Sequence, residues 1–217
     1  MDSHLGNTDV DIEAKLPFSQ ACENNKVAIL TVLQKELKTA QYVLEIGSGT
    51  GQHSVYFAPR LSHLSWQCSD VANNLKMIQA WHHEYPVINL PQVLALDLAT
   101  ADSFPKHDGI LPLYDTVFTA NTLHIVPWSL VERLFSLIAT QPFSVTKLII
   151  YGPFNDQGKF TSAGNAQFDA MLRARDPQSG IRDKGKVVDL AHKNGFMLAS
   201  EYAMPANNKL LVFQKIE

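Results

Sequence analysis

Residues 43–53 read Val-Leu-Glu-Ile-Gly-Ser-Gly-Thr-Gly-Gln-His. An apolar run carries an acid, Glu45, and then breaks into three glycines at alternate positions, Gly47, Gly49 and Gly51. Glycine reaches positive φ at no steric cost and lets a ligand approach the main chain, so the stretch reads as a strand followed by a binding loop. Residues 54–58 can continue as a helix whose first amides face outward. The spacing narrows the ligand. A dinucleotide fingerprint wants glycine or alanine three residues after its second glycine, and that position is Gln52. No Gly-Lys-Ser/Thr follows, which removes a phosphate loop.

Outward from the loop, strands alternate with helices. Val27, Leu30, Leu33 and Leu37 share one helical face and predict an amphipathic helix over 25–38. Strands are expected at 42–46, 64–69, 92–96, 114–119 and 147–151, with a helix carrying Leu75, Ile78 and Trp81 after the second. Behind Pro127, Ser129 and Glu132 have the spacing of a capping box. Helices follow at about 165–173 and up to the stop Asn194-Gly195. Strands at 197–202 and 209–214 flank residues 204–208, a hairpin connection. The expected fold class is α/β: a Rossmann-like seven-stranded sheet, mostly parallel with the last strand antiparallel, covered by helices on both faces. Ligands in such sheets sit beyond the carboxyl ends of the strands.

At 217 residues one core is expected, a single domain over 18–217 after a flexible tail at 1–17. The 18 basic and 21 acidic residues leave a net charge of -3, which offers nucleic acid no general attraction. Cys22 and Cys68 stand far apart, as in a reducing compartment, and the polar first eleven residues do not resemble a signal peptide. No apolar run is long enough to cross a membrane. A cytoplasmic protein is expected. His82, His83 and the other histidines lack metal-ligand spacing, and the pair is expected on a solvated helix face; no metal is expected. Ser129 lies outside any nucleophile elbow.

The form Glu-x-Gly-x-Gly-x-Gly resembles the first motif of class I S-adenosylmethionine-dependent methyltransferases. That resemblance implies a loop of Gly47, Ser48, Gly49 and Gly51 around the methionine end of the cofactor, with Glu45 attracting its ammonium. Asp70, 23 residues beyond Gly47, is placed to accept the ribose hydroxyls or to cap the next helix. Asp97 is expected at the adenine amino group or in a turn, with Leu98 as an apolar wall. Asn121, in the segment that follows the fourth strand, is implied to lie beside the sulfonium. His124 and Tyr151 are the candidate general bases, His124 also reading as a buried core histidine.

A narrower resemblance rests on Phe18-Ser19-x-Ala21-Cys22-Glu23-x-Asn25, Leu44 to Gln52, Trp66-Gln67-x-Ser69-Asp70, His124-Ile125-x-Pro127-Trp128, Tyr151-Gly152-Pro153-Phe154, Gly180-Ile181-Arg182-Asp183 and residues 204–208. Together these are similar to the methyltransferase subfamily that includes methyltransferase-like protein 26. Asn24 departs from it, standing where that subfamily carries arginine. The segments are expected in loops, where function concentrates. They imply substrate-side roles for Phe18, Glu23, Asn25, Trp128, Arg182, Asn207 and Asn208, with residues 18–38 as a helical lid. Asn207 and Asn208 also fit a turn, and Arg182 a pair with Asp183 or Asp176. The expected activity is methyl transfer to a small molecule. A cofactor-binding module without turnover and a nicotinamide-dependent oxidoreductase are the competing readings.

Overall fold

The computed structural model describes residues 16–105, 114–140 and 145–216, so the tail expected over 1–17 lies outside them except for its last two residues. Five strands, β1 (Tyr42–Ile46), β2 (Ser65–Asp70), β3 (Leu94–Ala95), β4 (Thr116–Ala120) and β5 (Lys147–Asn155), are parallel neighbours in the order β3-β2-β1-β4-β5. A short β6 (Arg182–Asp183) pairs with the far end of β5. Beyond β5 come β8 (Asn208–Lys215) and then β7 (Phe196–Met204), with β8 antiparallel to both of its neighbours. The helices are α1 (Gln20–Glu36), α2 (Gln52–Phe57), α3 (Leu75–Glu84), α4 (Trp128–Ala139), α5 (Ala163–Arg175) and α6 (Lys184–Lys193). No described helix is long and apolar enough to cross a membrane.

Alternation along the strands divides the apolar residues between two cores. Val43, Phe118, Ile149 and Val212 pack with α1, α2 and α3 through Leu33, Phe57 and Ile78. Leu44, Val117, Leu148 and Leu211 pack on the other face with α4 and α6 through Leu134, Ile138 and Val187. Each such side chain, taken fully out of water, contributes about 1.5–3 kcal/mol before the entropy of ordering is subtracted.

Several local expectations are corrected. The first helix starts at Gln20, because Ser19 caps it through the Cys22 amide, and Val27 is 59% exposed while Ile29 takes the buried face. Pro127 holds the cap position of α4, leaving Ser129 inside the helix; Glu132 instead accepts from the Trp128 indole at 2.9 Å, so no capping box forms. The 147–151 strand runs on to Asn155, sustained past Gly152 and Pro153 by β8 and then by β6. Segments expected in loops, at 152–154 and 182–183, are therefore strand. His83 is exposed, whereas His82 is partly buried with its Nε2 3.0 Å from Ser54 Oγ, and burial pushes it down to about 4.

Candidate functional site

The glycine loop caps the carboxyl end of β1. All three glycines have left-handed φ, +74° at Gly47, +61° at Gly49 and +88° at Gly51. The loop is tied to β2 by the Gly47 and Ser48 amides, which donate to the Ser69 carbonyl at 3.0 and 3.1 Å. A Cβ on Gly47 would stand 2.7 Å from Thr122 Oγ1, whereas one on Gly49 would meet nothing within 4 Å. Glu45 lies beneath this loop. It is 2% exposed, accepts from Trp66 Nε1, Ser48 Oγ and Cys68 Sγ, and burial pushes its carboxyl up. Through these bonds the side chain braces the loop from below.

Asp70 ends β2 as expected, with Oδ2 accepting the Gly49 amide at 2.7 Å and Oδ1 accepting from Val71 N and Asn74 Nδ2. It stabilises the loop, and with Oδ1 accepting twice, the further acceptor capacity lies on Oδ2. Asp97 is exposed and turns the chain by accepting the Ala99 amide at 2.9 Å. Gly47, Asp70, Asp97 and Leu98 meet around one pocket of about 90 Å³, closed by Ile46 and Thr122. Four of the positions read from the sequence are thus brought together.

A second pocket, about 280 Å³, opens on the other side of residue 121. Asn121, Asn25, Tyr151, Asn165, Phe168 and Asn208 are among its walls. Asn121 is held at φ +58°, its amide donating to the Tyr151 carbonyl at 2.9 Å. A left-handed residue there turns successive side chains apart, so that Thr122 lines the first pocket and Asn121 the second. Tyr151 is buried, and its hydroxyl lies between Asn25 and Asn208; burial pushes the phenol up. Asn25 Oδ1 lies 2.7 Å from His53 Nε2. His53 is itself pushed down to about 4 by burial.

His124 is 4% exposed, packs edge-on against Phe168 at 5.3 Å, and is likewise pushed down to about 4 by burial with Arg182 nearby. Several other substrate-side expectations lie outside this pocket. Phe18 is 57% exposed and lines neither pocket. Glu23 is paired with Lys26. Asn207 makes the β7–β8 turn at φ +56° and leaves the wall to Asn208. Trp128 and Arg182 border a separate cavity of about 510 Å³. Arg182 pairs with neither Asp183 nor Asp176. Its guanidinium donates to the carbonyls of Leu123, Val126 and Gln178, while Gly180 N and Ser179 Oγ hold those of His124 and Ile125. Residues 178–182 strap the 123–126 loop in place.

Residues 18–38, expected as a lid, contain α1, anchored at its start to the loop and to α3. Ser19 N donates to Gln52 Oε1, and Trp81 Nε1 donates to the Pro17 carbonyl at 2.6 Å. Gln52, His53, Asn165 and Phe168 are not legible in the sequence as site residues. Gln52 stands out there only as a departure from the dinucleotide pattern; the Asn165–Phe168 spacing, one face of a helix, is the sole signal for that pair.

The family described as "Protein of unknown function (DUF938)" matches residues 16–215. The chain belongs to the DUF938 family. Among solved structures it is similar to human N-acetylserotonin methyltransferase in complex with SAM, at TM-score 0.74 and 13% identity over 91% of this chain and 53% of that one. It is also similar to the S-adenosylmethionine-dependent methyltransferase SibL in its apo form, at TM-score 0.71 and 19% identity over 91% and 56%. An O-methyltransferase family 2 protein from Planctomyces limnophilus, in complex with apigenin, matches at TM-score 0.74 and 14% identity over 90% and 58%. This DUF938 chain spans little more than half the length of these proteins. Its fold is the Rossmann-like fold of class I S-adenosylmethionine-dependent methyltransferases.

Proposed function

We propose that this chain is an S-adenosylmethionine-dependent methyltransferase for a small-molecule acceptor. The observation that carries the proposal is the pair of pockets on either side of residues 121 and 122, one walled by the glycine loop and the other by polar and aromatic side chains. The first pocket suits the cofactor. Val71, Leu96 and Leu98 give apolar walls for a flat ring, Asp70 and Asp97 give acceptors, and no described lining residue is cationic. A dinucleotide would bring phosphates to a loop whose Gly49 amide is already given to a carboxylate, which favours the methyltransferase over the oxidoreductase. Asp70 would take the ribose, Asp97 and Leu98 the adenine, and Gly47, Ser48, Gly49 and Gly51 the remaining length.

Bound there, S-adenosylmethionine would supply an electrophilic methyl group, with the acceptor–carbon bond replacing the sulfur–carbon bond, the sulfur leaving as a neutral thioether and the acceptor's proton passing to water. Asn121 faces the side from which the acceptor would approach. Tyr151 is kept protonated by burial, so its part is to orient through its O–H. His124 stands behind Phe168 as a weak base, and alignment within a dry pocket supplies most of the rate. α1 forms the lid, and residues 18–217 act as one domain. The similarity to the subfamily of methyltransferase-like protein 26 supports this reading through the segments that build the second pocket, Asn25, Tyr151 and Asn208 among them.

Calorimetry with S-adenosylhomocysteine tests the cofactor. Binding should be in the micromolar range, and Asp70→Ala, which removes the ribose acceptor and frees the Gly49 amide, should weaken it by about tenfold or more. Unchanged affinity in that variant would sink the site assignment.

A further inference from the structure

The second pocket is built without charge. Its polar walls are five carboxamides, Asn24, Asn25, Asn121, Asn165 and Asn208, and one phenol, Tyr151; no described lining residue is Asp, Glu, Lys, Arg or His. Two imidazoles that touch its walls, His53 beside Asn25 and His124 beside Phe168, are uncharged near neutrality because burial pushes each to about 4, and burial keeps Tyr151 protonated; Asp169, next to Phe168, is paired with Arg173. The nearest charges on α1, Glu23 and Lys26, are paired with each other.

Most of these amides are already engaged. Asn25 meets His53 and Tyr151, Asn208 donates to the Pro205 carbonyl, and Asn24 accepts from Gln20. Besides the exposed Asn24, whose Nδ2 is left over, two keep capacity among the described residues. Asn165, only 7% exposed, spends its Nδ2 on Thr161 Oγ1 and has no partner for Oδ1. Asn121 has no side-chain partner, although its backbone fixes where the amide stands. Phe168, one helical turn after Asn165 on α5, adds an aromatic wall.

A carboxylate or ammonium entering this pocket would give up its hydration and find no opposite charge. A neutral group carrying a donor beside an acceptor would be matched by the carboxamides, each of which offers both. We infer that the pocket selects an uncharged planar acceptor with an N–H beside a carbonyl, of the amide or lactam type, seated against Phe168. The inference rests on the proposed methyltransferase reading, and its test separates the two.

Three rings of one shape and different charge, benzamide, benzoate and benzamidinium, are titrated into the full chain by saturation-transfer NMR, with and without S-adenosylhomocysteine. Benzamide should bind about tenfold or more tightly than either charged ring. Phe168→Ala and Asn165→Leu should each remove that preference while thermal melting confirms a folded protein. Equal or tighter binding of a charged ring, or no benzamide signal, would overturn the inference. Failure of S-adenosylhomocysteine to bind while benzamide is still preferred would overturn the methyltransferase reading alone.

Discussion

Gly47 and Gly49 do the same thing with the backbone and different things with space. Both lie at left-handed φ, but only Gly47 is pressed against a neighbour, the Thr122 hydroxyl, which also accepts from Thr119 at 2.8 Å. Alanine at Gly49 carries the conformational cost alone, about 1–2 kcal/mol. Gly47→Ala adds the displacement of Thr122 and should cost about 2–4 kcal/mol. Urea unfolding of the two variants side by side checks this, and equal losses would show that the contact with Thr122 is slack. Residues of this kind are the legible part of the site. Spaced glycines and an acid at a strand end carry their meaning within a few positions of sequence, so the amino-acid order alone gathers Gly47, Asp70, Asp97 and Leu98. The walls of the second pocket come from α1, the residue after β4, β5, α5, the β7–β8 turn and β8, and no local pattern joins Asn25 to Asn165.

At the level of elements, the β7–β8 turn holds an anomaly. Ala206 stands at φ +58° beside Asn207 at φ +56°, and alanine lacks the short polar side chain that makes asparagine tolerable there. Ala206→Gly should therefore stabilise the protein by about 1 kcal/mol, raising the melting temperature by about 2–4 °C. A lower melting temperature would mean that the methyl group packs to more advantage than the backbone loses. Local sequence misleads about an element wherever a neighbour decides the outcome. Gly152-Pro153 reads as the end of a strand, yet pairing with β8 and then β6 carries β5 onward. Ser129 and Glu132 have the spacing of a cap, but Pro127 already occupies that place. Residues 180–183 give no hint of pairing, since a two-residue strand has no period to detect.

Over the whole molecule, buried imidazoles set the acid limit. His53 and His124 are 5% and 4% exposed and titrate at about 4 in the fold, against 6.5 in the unfolded chain. Between those values the unfolded state binds more protons, so their stabilisation is complete above the unfolded pKa and disappears as pH falls through the folded one. Each should withdraw at most about 2 kcal/mol between about pH 7.5 and about pH 5. Urea midpoints at the two pH values measure it, and a midpoint that did not move would place both rings in contact with water.

The position of β8 has a consequence for how the chain is made. It sits between β5 and β7, and both cores need it: Leu210 and Val212 complete one, Leu211 and Phe213 the other. Yet it is the last strand of the sheet to leave the ribosome, following Asn155 by a stretch that takes roughly 3–10 s to synthesise. For those seconds β5, buried along nearly its whole length in the finished fold, offers an open apolar edge to whatever else is nearby. The nascent chain, rather than the native protein, is where this fold is most exposed to chaperones and to aggregation.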